Sequence, residues 1–181
     1  MPASIPFGNT RYSTRPIHQE NGMAHFEFRT LWQFNAALEP VWQCIYEGEK
    51  WPSWWKGVKQ VEVIKRGGPD SVGMVMNHVW ISALPYTLRF QIEITKVEPM
   101  KVIEVASKGE LAGTGVMSFS TQGDDVIVRF DWRVDTTEWW MNLIAPLASP
   151  LFRWNHAVIM DWGAKCLAER LHVKLLSTKE S

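Results

Sequence analysis

Along Ala24 to Phe34 the chain alternates. Phe26, Phe28, Thr30, Trp32 and Phe34 fall on one parity, with His25, Glu27, Arg29 and Gln33 mostly opposite. Period two predicts a strand with one buried face. Ala37 to Gly48 changes period: Val41, Trp42 and Ile45 share one side of a short helix, Pro40 fits only its first turn, and Gly48 ends it. In the stretch KWPSWWKG, Trp51, Trp54 and Trp55 take helical spacing after a turn. Period two then returns over Val58–Lys65 and Val72–Ile81, where Met74, Met76, His78 and Trp80 share a parity. It is cleanest over Tyr86, Leu88, Phe90, Ile92 and Ile94, which alternate with Thr87, Arg89, Gln91, Glu93 and Thr95. Two more strands, 101–107 and 111–121, carry Gly109, Gly113 and Gly115, which predict bends or bulges. A hairpin turn at Gly123-Asp124-Asp125 leads into Val126, Val128, Phe130, Trp132 and Val134.

The pattern changes for good after residue 135. TTEWWMNLIAPLAS reads as a link with a short apolar helix. From Pro150 to Leu176 the period is helical: Phe152, His156, Ile159, Gly163, Leu167 and Leu171 recur at steps of three and four. Ser149 is the expected N-cap, with Pro150 in the first turn. Gly163 lies on the apolar face, where it costs ~1 kcal/mol against alanine unless a close approach needs it. Short turns force antiparallel neighbours. The expectation is an α+β domain: a curved antiparallel sheet of about seven strands wrapped around one long C-terminal helix, with two short helices after the first strand. A curled sheet and one helix leave space between them, and a solid core with no cavity above ~300 Å³ would count heavily against a ligand-binding role. Residues 1–22, rich in Pro, Ser, Thr and Asn, read as a flexible arm, 23–176 as the domain and 177–181 as a tail.

Composition narrows the chemistry. The 181 residues carry zero formal net charge, which argues against nucleic-acid binding through a broad basic field. Eleven tryptophans and eight methionines suit a core or an apolar pocket. Cys44 and Cys166 have no metal-ligand spacing and read as buried reduced thiols. No stretch is apolar enough for a transmembrane helix and the N-terminus lacks a signal-like core, so the cytoplasm is the default.

Three segments also carry a resemblance: AALEPVWQCIYEGEKWPSWWKGVKQVEVI, LPYTLRFQIEITKVEPMKVIEVASKGELAGTG and PLASPLFRWNHAVIMDWGAKCLAERL. Together with the element order, they resemble the bacterial polyketide cyclase/dehydrase-like branch of the SRPBCC superfamily, over Met23 to Leu176. That superfamily includes START lipid-transfer domains, birch-pollen allergen proteins and aromatase/cyclases. The resemblance implies the helix-grip fold and a deep apolar cavity, but no particular activity, since carriers and cyclases share it.

Within that frame the candidate ligand-binding residues are Trp32, Met74, Met76, His78, Trp80, Tyr86, Leu88, Phe90, Met117, Phe119, Phe130, Trp132, Phe152, Asn155, His156 and Ile159. The candidate proton carriers are His156 first and His78 second, with Tyr86 orienting a carbonyl. Arg89, Arg129 and Arg133 fall on the solvent parity, and Glu110 could face either way at a glycine bulge. No metal, cofactor or phosphate-loop motif is present in the sequence. The expected partner is a small hydrophobic or aromatic molecule, lipid or polyketide-like. An enzyme acting on a carbonyl compound is the alternative. A membrane-touching gate at Trp139, Trp140 and Met141 is a third reading. Oligomeric state is not legible.

Overall fold

In a computed structural model the chain is described over residues 24–136 and 139–180, with side chains omitted at 24 and 136–148. The N-terminal arm and the side chains of Trp139, Trp140 and Met141 lie outside the described residues. Strand β1 (Ala24–Asn35) is followed by α1 (Leu38–Tyr46) and a 3-10 helix (Gly48–Ser53). A meander comes next: β2 (Val58–Lys65), β3 (Val75–Ile81), β4 (Thr87–Glu98), β5 (Val102–Gly109), β6 (Leu111–Gln122) and β7 (Asp125–Thr136). The long helix α2 (Trp139–Leu171) and strand β8 (Lys174–Glu180) end the described chain.

All pairings are antiparallel, in one eight-stranded sheet of order β2-β3-β4-β5-β6-β7-β1-β8. This is the helix-grip architecture, with one strand more than the alternation suggests. The extra strand comes from residues whose pattern predicts the end of the helix and the tail. The helix stops at Leu171 rather than Leu176 because His172 turns into the left-handed region, at φ 54°. The His172 N–H then bonds the Glu169 carbonyl at 3.2 Å and the Val173 N–H bonds the Ala168 carbonyl at 3.0 Å. That pair closes a helix end in the manner usually served by glycine. Residues 174–180 are thereby released to pair with β1 at the sheet edge. At the other end, α2 begins at Trp139 and runs through Pro146 and Pro150. A proline removes one helical hydrogen bond, which lowers stability without stopping the helix.

The inward parity of each strand packs as expected. Phe90, Ile92 and Ile94 of β4, Ile103 and Val105 of β5, and Val126, Val128 and Phe130 of β7 are all buried. The outward parity carries charge: Arg29 and Arg129 both bond Asp131, and Arg133 reaches Glu27. Cys44 and Cys166 are free thiols, half-buried rather than buried.

One contact fixes how α2 sits on this layer. The Trp55 indole N–H donates to the Ile159 carbonyl at 3.1 Å. Gly163, one turn on, lies directly beneath the same ring. A Cβ there would come within 2.4 Å of Trp55 Cε2 and 2.7 Å of its Nε1. Trp55 is 2% exposed and has no room to withdraw. The absent side chain therefore lets the indole lie on the helix. Gly163→Ala gains ~1 kcal/mol of helix propensity but meets overpacking of typically about 1–3 kcal/mol. We expect Gly163→Ala to be neutral to destabilising and Gly163→Leu to be strongly destabilising in denaturant melts. A Gly163→Leu variant as stable as wild type would refute the contact.

Candidate functional site

Two apolar clusters divide the interior. The larger fills the space below α1, the 3-10 helix and the C-terminal half of α2. The smaller gathers Phe26, Val134 and Phe152, with Phe28, Leu84, Tyr86, Leu88, Leu111 and Trp132 packed against it. Between them lies a cavity of about 110 Å³. Its walls are Phe26 and Phe28 of β1, Trp51 and Trp55, Trp80, Tyr86, Leu88, Phe90, Leu111, Met117, Phe130, Trp132, Val134, and Phe152, Asn155, His156, Ile159 and Met160 of α2. Most of the half-buried walls, including Phe28, Tyr86, Leu88, Leu111 and Trp132, belong to the small cluster. The cavity therefore approaches solvent at the Phe152 end. At about 110 Å³ it falls short of the ~300 Å³ expected of a ligand pocket, which counts against a large ligand; Trp51 and Trp55 line it from the 3-10 helix side and take up part of the concave space. Gly115 shapes the opposite wall: a Cβ there would touch the Trp132 ring at 3.0 Å, so its absence lets that ring lie flat against β6.

Eleven expected residues meet at this cavity: Trp80, Tyr86, Leu88, Phe90, Met117, Phe130, Trp132, Phe152, Asn155, His156 and Ile159. Five do not. Trp32 is wholly buried, packed on Trp55 at 5.3 Å and Phe130 at 4.5 Å. Phe119 packs on Trp42 of α1 at 4.8 Å. Met76 fits beside Gly48, and Met74 packs against the large cluster. His78 is the fifth. These positions have the right parity but lie where α1 and the 3-10 helix already cover the sheet. Conversely Phe26, Phe28, Trp51, Trp55, Leu111, Val134 and Met160 line the cavity beyond the expected set. The β1 parity points to the first two; nothing in the pattern shows how far along the sheet the gap falls.

Three residues bring polar side chains to the cavity wall: Asn155, Tyr86 and His156. The Asn155 Oδ1 accepts the Ser82 hydroxyl at 2.8 Å and the Ala83 backbone N–H at 2.8 Å. Accepting a backbone N–H fixes this atom as the oxygen. Asn155 thus ties α2 to the β3–β4 turn, and the polar group it has left is its NH2. The Ser82 hydroxyl also receives the Leu84 N–H at 2.9 Å and shares a hydrogen bond with Tyr86. Burial pushes the Tyr86 phenol up from its ordinary value, so it remains a neutral hydroxyl at physiological pH. The His156 ring stacks on Phe28 at 4.1 Å, and its Nδ1 lies 3.5 Å from Glu180 Oε1 of β8. The same oxygen accepts the Thr30 hydroxyl.

His78 sits apart from these groups. It is 1% exposed, stacks on Phe90 and meets Trp51 edge-on, and its Nδ1 accepts the Trp80 indole N–H at 3.3 Å. Burial lowers its pKa from 6.5 to about 4, which makes it a poor base at neutral pH, and it stands behind Trp51, Trp80 and Phe90 rather than in the cavity lining. Glu110 accepts the Arg89 N–H at 2.8 Å, also away from the cavity. Among the described residues no group of His, Cys, Asp and Glu could hold a metal ion. Among them too, no helix is long and apolar enough to cross a membrane.

The sequence pattern of the family described as "Polyketide cyclase / dehydrase and lipid transport" matches residues 34–155, more than half of the chain. The chain belongs to that family, whose description implies the binding of hydrophobic small molecules. No curated protein matches it in sequence. Among solved structures it is similar to a START superfamily protein from Mycobacterium smegmatis, at 13% identity and TM-score 0.65, over 82% of this chain and 98% of the other. A protein of Thermus thermophilus aligns at 19% identity and TM-score 0.63, over 80% and 98%. The Zhui aromatase/cyclase of a Streptomyces species aligns at 14% identity and TM-score 0.62, over 82% and 93%. At these identities the likeness is one of fold.

The buried His78 has a measurable consequence. Between pH 6.5 and about 4 the unfolded chain binds a proton at this residue that the folded chain excludes. Its contribution to stability is therefore intact above pH 6.5 and is lost as the pH falls toward 4, by up to about 3 kcal/mol. Denaturant melts across this range should show wild type losing more stability than His78→Leu. Parallel curves for the two would contradict the assignment.

Proposed function

We propose that the protein binds a small apolar or aromatic ligand in the cavity between the sheet and α2. The observation that carries the reading is an interior gap walled almost wholly by aromatic and aliphatic side chains, in a fold whose tight helix contact at Gly163 leaves that gap unfilled. An apolar cavity of about 150 Å³ stays dry and takes up benzene, so about 110 Å³ suits a molecule of one small ring. A lipid or polyketide-sized ligand would need the Phe152 end to open. That end is built from the smaller cluster, with α2 joining it directly from β7. A cytoplasmic carrier or sensor of such molecules fits both the family and the neutral charge.

A second reading, acid–base chemistry on a cavity-bound carbonyl compound, is favoured by one observation: the His156 imidazole stands in the cavity wall. It requires that His156→Ala abolish turnover, and unchanged turnover of a converted substrate would remove it.

The binding reading is tested by native mass spectrometry of protein purified without detergent, with dye displacement by toluene, naphthalene and palmitate. We expect a co-purified or exchangeable apolar ligand, and dye displacement at up to about 1 mM by at least the single-ring compound. Leu88→Trp, which fills the cavity from β4, should abolish both. Ligand-free protein together with no displacement by any of the three would refute the proposal.

A further inference from the structure

The pair formed by His156 and Glu180 gives the cavity a chemical preference. His156 Nδ1 is shut off from solvent and lacks a well-aligned hydrogen bond, and the charged group beside it is the Glu180 carboxylate at 3.5 Å. That carboxylate is itself anchored. Glu180 is paired directly across from Thr30 in the β1–β8 register, and the Thr30 hydroxyl donates to the oxygen nearest the imidazole. Thr30 is wholly buried, so this end of Glu180 is held from within the sheet. The imidazole is held from the other side by its stack on Phe28.

An unprotonated Nδ1 here would face carboxylate lone pairs with a lone pair of its own. The favourable arrangement puts the proton on Nδ1, directed at Glu180. In a neutral imidazole this leaves Nε2 as an acceptor. Of the other polar groups in the wall, the Asn155 oxygen is already committed to the β3–β4 turn, and the Tyr86 hydroxyl shares a hydrogen bond with Ser82.

We propose that Glu180 is a positioning residue that fixes His156 as the Nδ1–H tautomer, and that the cavity consequently selects small aromatic hydrogen-bond donors of the phenol class. The inference rests on the binding reading above. A phenol supplies one ring of suitable size and one O–H for Nε2. Toluene has nearly the same shape and no donor. Stripping water from a phenol hydroxyl is unfavourable unless a partner replaces it, so an apolar cavity lacking an acceptor would favour toluene.

Two measurements on the full chain test this. Proton–nitrogen correlation spectra of protein labelled in histidine, recorded at about pH 8, should show His156 protonated on Nδ1. A spectrum with the proton on Nε2 would overturn the assignment. Calorimetric titrations with phenol and toluene should give tighter binding of phenol. Glu180→Val, which leaves the Nδ1–H no acceptor, should lower the ratio of phenol to toluene affinity by about fivefold, the loss expected for one net hydrogen bond. A general loosening of the β1–β8 edge would weaken both ligands together and leave the ratio unchanged, which overturns the positioning role. Toluene binding without a phenol preference overturns this inference alone. Failure of both ligands to bind overturns the cavity reading with it.

Discussion

The position of α2 depends on the contact between Trp55 and Gly163. An indole is large and rigid, and here it has one hydrogen-bond donor to satisfy in a buried setting. Lying across the helix, it reaches the Ile159 carbonyl, and the missing side chain at Gly163 gives it the space to do so. Sequence, backbone and packing meet in that contact. The KWPSWWKG stretch places Trp55 immediately after the 3-10 helix, and the Val58 N–H bonds the Trp55 carbonyl at 2.8 Å, so the ring enters the core as the chain starts β2. Trp51 and Trp32 support it at 5.2 and 5.3 Å between ring centroids. The aromatic wedge is fixed by neighbours on three elements.

With the middle of the helix pinned there, its two ends meet different surroundings. Toward the C-terminus, Ala164, Leu167 and Ala168 are packed into the large cluster. Toward the N-terminus, Phe152 meets Phe26 edge-on at 5.7 Å and closes the smaller cluster. The gap between Phe152 and Trp55 is spanned by Asn155, His156 and Ile159. Asn155 is tied to the β3–β4 turn, and His156 rests on Phe28. The polar side chains of this stretch are thus held by neighbouring elements at the cavity wall. A cavity here follows from the spacing between two large anchors on a rigid helix.

Much of this was legible in the sequence, for a definite reason. A strand buried on one face must alternate, so β1, β4 and β7 could be read residue by residue, and Gly163 stood out because an apolar helix face rarely tolerates glycine without a close neighbour. The end of α2 was not legible. The left-handed residue that stops it is His172 rather than glycine, and the short run LLSTKE after it has the apolar pairs of a helix and the alternation of a strand. The cavity was legible only in part. Parity separates inward from outward residues, but Trp32 and Phe119 have the same parity as Phe28 and Met117 and lie in solid core. What separates them is the coverage of the sheet by α1 and the 3-10 helix, a tertiary fact carried by no local period. The pairing of His156 with Glu180 depends in turn on β8, which the sequence pattern divides between the end of the helix and the tail.

The central claim is that the space between Phe152 and Trp55 is a dry, accessible apolar cavity. Xenon tests this without presupposing a ligand, because it enters apolar cavities and is not held by polar, water-filled ones. Crystals pressurised with xenon should show a strong peak among Phe26, Trp132, Phe152 and Ile159, and the peak should vanish when Leu88→Trp fills the space. A xenon-free site occupied by ordered waters, or one closed by collapse of Phe152 onto Trp55, would contradict the account.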